Sequence, residues 1–114
     1  MYALQFSNVV ILGDTCDSSA IAPLCMNANI LVHEATNENE LQAKTVEFGH
    51  STPRMAGEFA RSLNVRQLIL THFSQRYRPD DKDVMDKLLH EAKIAFQSQN
   101  VLCAFDLMKI DIIS

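Results

Sequence analysis

The stretch Ala28–Ala35, with the sequence ANILVHEA, indicates the fold class of this chain. Its aliphatic and β-branched run predicts a short strand, and the run ends beside the polar pair His33 and Glu34. Two further runs of the same kind are NVVILGD, at Asn8–Asp14, and RQLILTHF, at Arg66–Phe73. Each run closes at or next to a polar residue, so we interpret the three as strands whose ends can carry chemistry.

Amphipathic segments lie between and after these runs. The spacing of apolar residues predicts helices over Glu40–Phe48, Pro53–Leu63 and Asp80–Gln97. The apolar faces comprise Met55, Ala56, Phe59, Ala60 and Leu63 in the second helix and Val84, Met85, Leu88, Leu89, Ala92 and Phe96 in the third. A last strand is predicted over Asn100–Ile113. The alternation of strands and helices predicts an α/β fold.

Composition limits the classes of protein that need to be considered. A chain of 114 residues, 47% of them hydrophobic, suffices for one core, and therefore for one domain or part of one. Its formal charge of −4 argues against nucleic-acid binding through bulk positive potential, so any contact with RNA must be local. No long apolar run or signal peptide is visible, and we expect a cytoplasmic or nuclear location.

The chain has three cysteines, and they show no C-x-x-C spacing. An odd number without that spacing fits a reducing compartment better than a disulfide framework or a structural zinc site. We therefore interpret Cys16, Cys25 and Cys103 as buried thiols.

Four residues able to handle protons or metals fall at the predicted strand ends: Asp14, His33, Glu34 and His72. Taken singly, each has an ordinary explanation as a turn former, a solvated pair or a strand cap. Ligands of α/β sheets gather at the carboxyl ends of the strands. Together the four residues favour a functional site at one edge of the sheet.

The stretch EFGHSTPRMA, Glu47–Ala56, places a histidine just before a helix start. Thr52 followed by Pro53 is typical of a helix N-terminus, which puts His50 and Ser51 immediately upstream. Such an end can bind a phosphate through its unpaired amides and partial positive charge. In the simpler interpretation Ser51 or Thr52 caps the helix and His50 is bonded in a turn.

Four motifs follow one another along the chain: GDT at Gly13–Thr15, HEAT at His33–Thr36, GHST at Gly49–Thr52 and THFSQRY at Thr71–Tyr77. In this order they closely resemble the C-terminal half of tRNase Z, the zinc-dependent endonuclease of the metallo-β-lactamase fold that removes the 3′ trailer from tRNA precursors. The likeness runs from about Asn8 to the end of the chain and is strongest to the short form. HEAT and HST distinguish this family from its hydrolase relatives.

The resemblance implies roles for individual residues. Asp14 would bridge two zinc ions, and His72 would be a ligand to one of them, as suits a carboxylate oxygen and an imidazole nitrogen. Glu34 and His50 correspond to the pair that supplies a proton to the leaving 3′ oxygen, with the glutamate orienting the histidine.

Three further residues would contact the substrate if the resemblance holds. Ser51 and Thr52, with the helix amides behind them, would hold phosphate oxygens, and Arg76 would contact an RNA phosphate. The resemblance also implies precursor tRNA as the substrate and a homodimer for the complete enzyme. His33 is given a structural role.

The chain also departs from the family pattern. Residues 1–114 correspond to the C-terminal half of an αββα metallo-β-lactamase domain, without the H-x-H-x-D-H box that supplies most zinc ligands. Phe105 and Asp106 stand where the family often has an acidic pair. We therefore expect the isolated chain to bind zinc weakly and not to cut tRNA. The alternatives are a fragment of another phosphodiesterase of the same fold, and a non-catalytic module for interaction or dimerisation.

Overall fold

The computed structural model describes residues 9–12 and 19–104. Predictions that concern Asp14, Cys16, Phe105 and Asp106, and most of the predicted last strand, lie outside these ranges. The strands are β1 (Val9–Ile11), β2 (Ile30–Glu34), β3 (Gln67–Thr71) and β4 (Val101–Cys103). The α-helices are α1 (Ala22–Cys25), α2 (Gln42–Glu47), α3 (Pro53–Ser62) and α4 (Lys82–Phe96), and 3-10 turns cover Ser19–Ile21 and Asn39–Leu41.

The described strands form one parallel sheet in the order β1-β2-β3-β4. In the pairing of β2 with β3, Ile30 lies opposite Gln67 and Glu34 lies opposite Thr71. Both strands therefore end at the same edge of the sheet. The predicted α/β class is confirmed, and this edge is where the polar residues of the sequence were expected to meet.

Helices α3 and α4 cover one face of the sheet and enclose the core. The buried apolar residues of this cluster are Cys25, Ala28, Leu31, Ala35, Ala56, Ala60, Leu63, Val65, Leu68, Leu70, Ala92, Phe96 and Val101. The two helices approach each other closely at Gly57, where an added Cβ would lie 2.7 Å from the carbonyl oxygen of Ala92. The small residue is therefore required at this crossing.

Side-chain caps define where the two long helices begin. Thr52 accepts a hydrogen bond from the Met55 N–H at the start of α3, and Asp81 accepts one from the Val84 N–H at the start of α4. Helix α4 ends at Gln97, which has a left-handed φ of 58°. Both helices lie within two residues of their predicted bounds, whereas the predicted helix over residues 40–48 divides into a 3-10 turn and α2.

The described cysteines differ in burial. Cys25 is fully buried, as predicted, but Cys103 is half-buried, because β4 is the last strand of the described sheet. Burial nevertheless raises the pKa of the Cys103 thiol to about 11. Within residues 9–12 and 19–104, no helix has the length and apolar character needed to cross a membrane.

Candidate active site

Glu34 is the central residue of the candidate site, and its side chain is only 1% exposed. Side chains alternate along a strand, so Leu31 and His33 face the helices while Glu34 lies on the opposite face of β2. Its Oε1 accepts a hydrogen bond of 2.6 Å from the backbone N–H of Ser51. A buried carboxylate must be paired, and this amide supplies one of its partners.

His50 is held against the second oxygen of Glu34. Gly49, with a φ of +77°, ends the turn after α2, and the His50 N–H donates to the Thr45 carbonyl at 3.0 Å. The His50 Nδ1 lies 3.0 Å from Glu34 Oε2. Because a carboxylate accepts only, His50 donates its Nδ1–H, and Nε2 is then the nitrogen that can exchange a proton with a substrate.

His72 follows β3 directly and completes the cluster. Its Nδ1 lies 3.4 Å from Glu34 Oε2, and its ring centroid lies 5.4 Å from that of His50. His72 is about half exposed, with 53% of its side chain accessible. The three residues that the sequence analysis placed at two strand ends and a helix start therefore meet around one carboxylate.

The donor set of this cluster fits zinc. Carboxylate oxygens and imidazole nitrogens are ligands that zinc takes in proteins. Glu34, His50 and His72 each offer one such atom, and the three atoms lie within 4.8 Å of one another. Asp14, the predicted bridging ligand, lies outside the described residues.

Ser51 and Thr52 lie at the start of α3 and are buried, with 1% and 0% exposure. The Thr52 hydroxyl accepts from the Met55 N–H at 3.3 Å, and the N–H of Arg54 donates to the Asn39 side chain at 2.9 Å. Pro53 has no N–H. These first-turn amides are thus paired within the chain, and this pairing does not support the expectation that they hold a phosphate.

Arg76 lies in the turn after His72, and its side chain is exposed. Its N–H donates to the Ser74 hydroxyl at 3.4 Å. A cavity of about 570 Å³ lies beside this turn. Its lining consists of His72, Phe73, Ser74, Gln75, Tyr77, Arg78, Pro79 and Ala104. An RNA contact by Arg76 stays a prediction, and the exposed side chain is compatible with it.

His33 is a structural residue, as the sequence analysis expected. It is 2% exposed, its Nδ1–H donates to the Glu34 carbonyl at 2.8 Å, and its ring lies 5.8 Å from that of Phe59 in α3. Burial lowers the pKa of His33, which favours the neutral imidazole.

The motif pattern assigns no separate role to Thr36, the last residue of the HEAT motif. Its Oγ1 donates to the His72 carbonyl at 3.0 Å and lies 3.2 Å from His72 Nδ1. The loop after it is fixed by two bonds, from the Glu38 N–H to the Tyr77 hydroxyl at 2.8 Å and from the Asn39 N–H to Glu91 at 3.0 Å. A threonine two residues after Glu34, at the end of the motif, was the available signal.

No family model matches the chain. Among solved structures, a metallo-β-lactamase fold protein from Bacillus subtilis superposes with a TM-score of 0.71 and 26% identity, covering 84% of this chain and 36% of that protein. The human short form of tRNase Z gives a TM-score of 0.69 and 36% identity, covering 93% of this chain and 34% of that one. Ribonuclease Z of Listeria monocytogenes is 43% identical over 99 residues, covering 87% of this chain and 31% of that protein.

The parallel sheet, its helical layer and these superpositions define the class: the chain has part of a metallo-β-lactamase fold. Within that class it belongs to the ribonuclease Z family, also called tRNase Z. It spans about a third of the length of the relatives it matches. The family predicted from the four motifs is thereby confirmed.

Proposed function

We propose that this chain supplies part of the active site of a zinc-dependent endoribonuclease that removes the 3′ trailer from tRNA precursors. The observation that carries the proposal is the Glu34–His50 pair, with a distance of 3.0 Å between Oε2 and Nδ1. A histidine oriented by a buried carboxylate is suited to general-acid catalysis. The similarity to ribonuclease Z supports the choice of substrate.

Asp14 and His72 would hold zinc in the complete protein. When bound, the metal polarises a phosphoryl oxygen and lowers the pKa of bound water. Two protein ligands do not complete a catalytic zinc site, which usually has three. The remaining ligands would therefore come from protein outside this chain, in keeping with the third of the relatives' length that it spans.

Glu34 and His50 would handle the proton of the leaving group. Glu34 is fixed by the Ser51 N–H, and in turn fixes the His50 ring through Nδ1. In its doubly protonated form, with Nδ1–H on Glu34, His50 would then donate the Nε2 proton to the 3′ oxygen as the phosphodiester bond breaks and would be left neutral. The imidazole is 24% exposed, so a substrate can reach it while the carboxylate behind it stays buried.

Arg76 would contact an RNA phosphate, whereas for the buried Ser51 and Thr52 a phosphate contact rests on the family resemblance alone. The exposed guanidinium of Arg76 is the best placed of the three, since a charged fork binds phosphate oxygens without help from bulk positive charge. The proposal further includes precursor tRNA as the partner, a homodimer for the complete enzyme, and a cytoplasmic or nuclear location.

The proposal is tested in the chain joined to a complementary N-terminal half. His50→Ala should lower kcat on precursor tRNA by about 10² to 10⁴-fold without changing the zinc content. On a nitrophenyl phosphodiester, whose leaving group needs little protonation, the same substitution should have little effect. Glu34→Gln should act in the same direction but more mildly, and the double variant should be less than additive, because the two residues act as one unit.

His90→Ala is the control, since His90 is an exposed histidine on α4. Equal losses on both substrates, or loss of zinc with His50→Ala, would show that His50 positions the phosphate or supports the fold. A completed enzyme that prefers simple diesters to precursor tRNA would assign the chain to another phosphodiesterase of this fold.

A further inference from the structure

Thr36 is bonded to three residues in two segments of the site through all of its polar groups. Its N–H donates to the Ser51 carbonyl at 2.9 Å, and its carbonyl accepts from the Ser74 N–H at 2.8 Å. Its hydroxyl bonds His72. The residue thus joins the segment that carries His50 to the turn that carries His72.

The hydroxyl of Thr36 constrains the ring of His72. A hydroxyl has one hydrogen, and here it is donated to the His72 carbonyl at 3.0 Å. At its 3.2 Å contact with His72 Nδ1, the same oxygen must therefore accept. Glu34 Oε2, 3.4 Å from that nitrogen, also accepts only. Both neighbours thus require the hydrogen of a neutral His72 to be on Nδ1.

The backbone of His72 is also constrained. Its φ of +57° lies in the left-handed region, which is unfavourable for a non-glycine residue. The bond from Thr36 to the His72 carbonyl offsets part of this cost and holds the turn that follows β3. The Ala35 N–H, which donates to the Thr71 carbonyl at 2.9 Å, keeps the two strand ends together beside it.

We propose that Thr36 is the positioning residue for His72: its hydroxyl fixes the left-handed backbone and the Nδ1–H tautomer, so that the lone pair lies on Nε2. This nitrogen is then the one that binds a metal, and only this last step rests on the proposed function. Partners of this kind orient metal-ligating histidines in many sites, and removing one typically weakens metal affinity by about 10 to 100-fold.

The tautomer can be measured on the metal-free chain itself by nitrogen-15 NMR of its histidine rings, at a pH where the imidazoles are neutral. We expect His72 to carry its hydrogen on Nδ1 in the wild type and in Thr36→Ser, which keeps a hydroxyl. Thr36→Val keeps the shape without the hydroxyl, and we expect it to admit the Nε2–H tautomer and to shift the amide signals of His72 and Ser74. Ser62→Ala, which removes a hydroxyl bonded to the Phe59 carbonyl in α3, is the control and should change neither.

A wild-type His72 with its hydrogen on Nε2 would overturn the proposal, and so would a Thr36→Ser variant that behaves like Thr36→Val. If Thr36→Val does not fold, Thr36→Ala replaces it, and a variant without the hydroxyl that keeps the wild-type tautomer and amide signals would also overturn the proposal. In the completed protein, Thr36→Val should weaken zinc binding by about 10 to 100-fold, whereas Thr36→Ser should bind like the wild type. If His72 carries its hydrogen on Nδ1 but the completed protein does not cut precursor tRNA, the proposed function is refuted and the role of Thr36 stands.

Discussion

Gly57→Ala tests how closely α3 and α4 pack. Helix propensity predicts that this substitution stabilises the chain, whereas the structure predicts that it destabilises it. Alanine is favoured over glycine in a helix interior by about 1 kcal/mol. The added Cβ, however, would lie 2.7 Å from the Ala92 carbonyl oxygen, 2.8 Å from the Ala95 Cβ and 2.9 Å from the Phe96 nitrogen. Carbon contacts are optimal near 3.5–4.0 Å, so the helices must separate by roughly 1 Å.

Two of the three atoms that crowd position 57 belong to the backbone and cannot rotate away. Overpacking typically costs about 1–3 kcal/mol, and because backbone atoms cannot yield we expect the upper part, about 2–3 kcal/mol, which exceeds the gain in propensity by about 1–2 kcal/mol. We expect Gly57→Ala to lower the free energy of unfolding by about 1–2 kcal/mol, and the urea midpoint of the isolated chain by about 1 M at the slope usual for small domains.

Glu58→Ala is the matched control, because Glu58 is the next residue of α3 and is exposed. Its effect should stay within about 0.5 kcal/mol. Gly57→Ala combined with Ala95→Gly should recover only part of the loss, since the two backbone contacts remain. A midpoint for Gly57→Ala equal to or above that of the wild type would refute the close packing of α3 on α4.

Three further predictions concern protons, metal and thiols. Burial lowers the pKa of His33 from 6.5, so the unfolded chain binds a proton more readily and the free energy of unfolding should fall as the pH drops below about 6.5. His33→Asn should weaken this pH dependence in urea titrations, and an unchanged pH dependence would contradict the prediction. The chelator-washed chain should hold far less than one zinc per chain by metal analysis, because Asp14 and His72 do not complete a shell and Glu34 and His50 are bonded to each other. Tight stoichiometric zinc would contradict this. Cys103, with a pKa of about 11, should be alkylated slowly at neutral pH until the chain unfolds, as mass spectrometry of the modified peptides would show; rapid labelling of the folded chain would contradict it.

Local signals in the sequence were sufficient to predict the two long helices, α3 and α4. Thr52 and Pro53 mark the start of α3, and the acidic residues after Pro79 mark the start of α4, because caps act within one turn. The helical segment Ser19–Cys25 was not predicted, since it contains a proline and lacks an apolar period. Its formation depends on tertiary packing, in which Cys25 is fully buried.

The members of the candidate site could be predicted, but their connections could not. Strand ends and a helix start identified Glu34, His50 and His72 from the pattern and the family resemblance. That one carboxylate oxygen contacts both imidazoles, at 3.0 and 3.4 Å, depends on the register of two strands and on a left-handed residue after the second. Neither feature has a local signature, and the same holds for the contacts of Thr36.

The register of β3 against β2 sets the distance between His72 and Glu34, so residues that hold this register affect the candidate site from a distance. Side-chain faces repeat every two residues, so a slip of β3 by two positions would keep the apolar faces matched but would carry His72 about 6.6 Å away from Glu34. At the opposite ends of the strands, Asn64 donates to the Asn27 side chain at 3.0 Å, and both residues adopt left-handed φ angles. This pair of exposed asparagines, one strand length from the histidines, opposes such a slip. Substitutions there are therefore a route to a folded chain in which every site residue is present but misaligned.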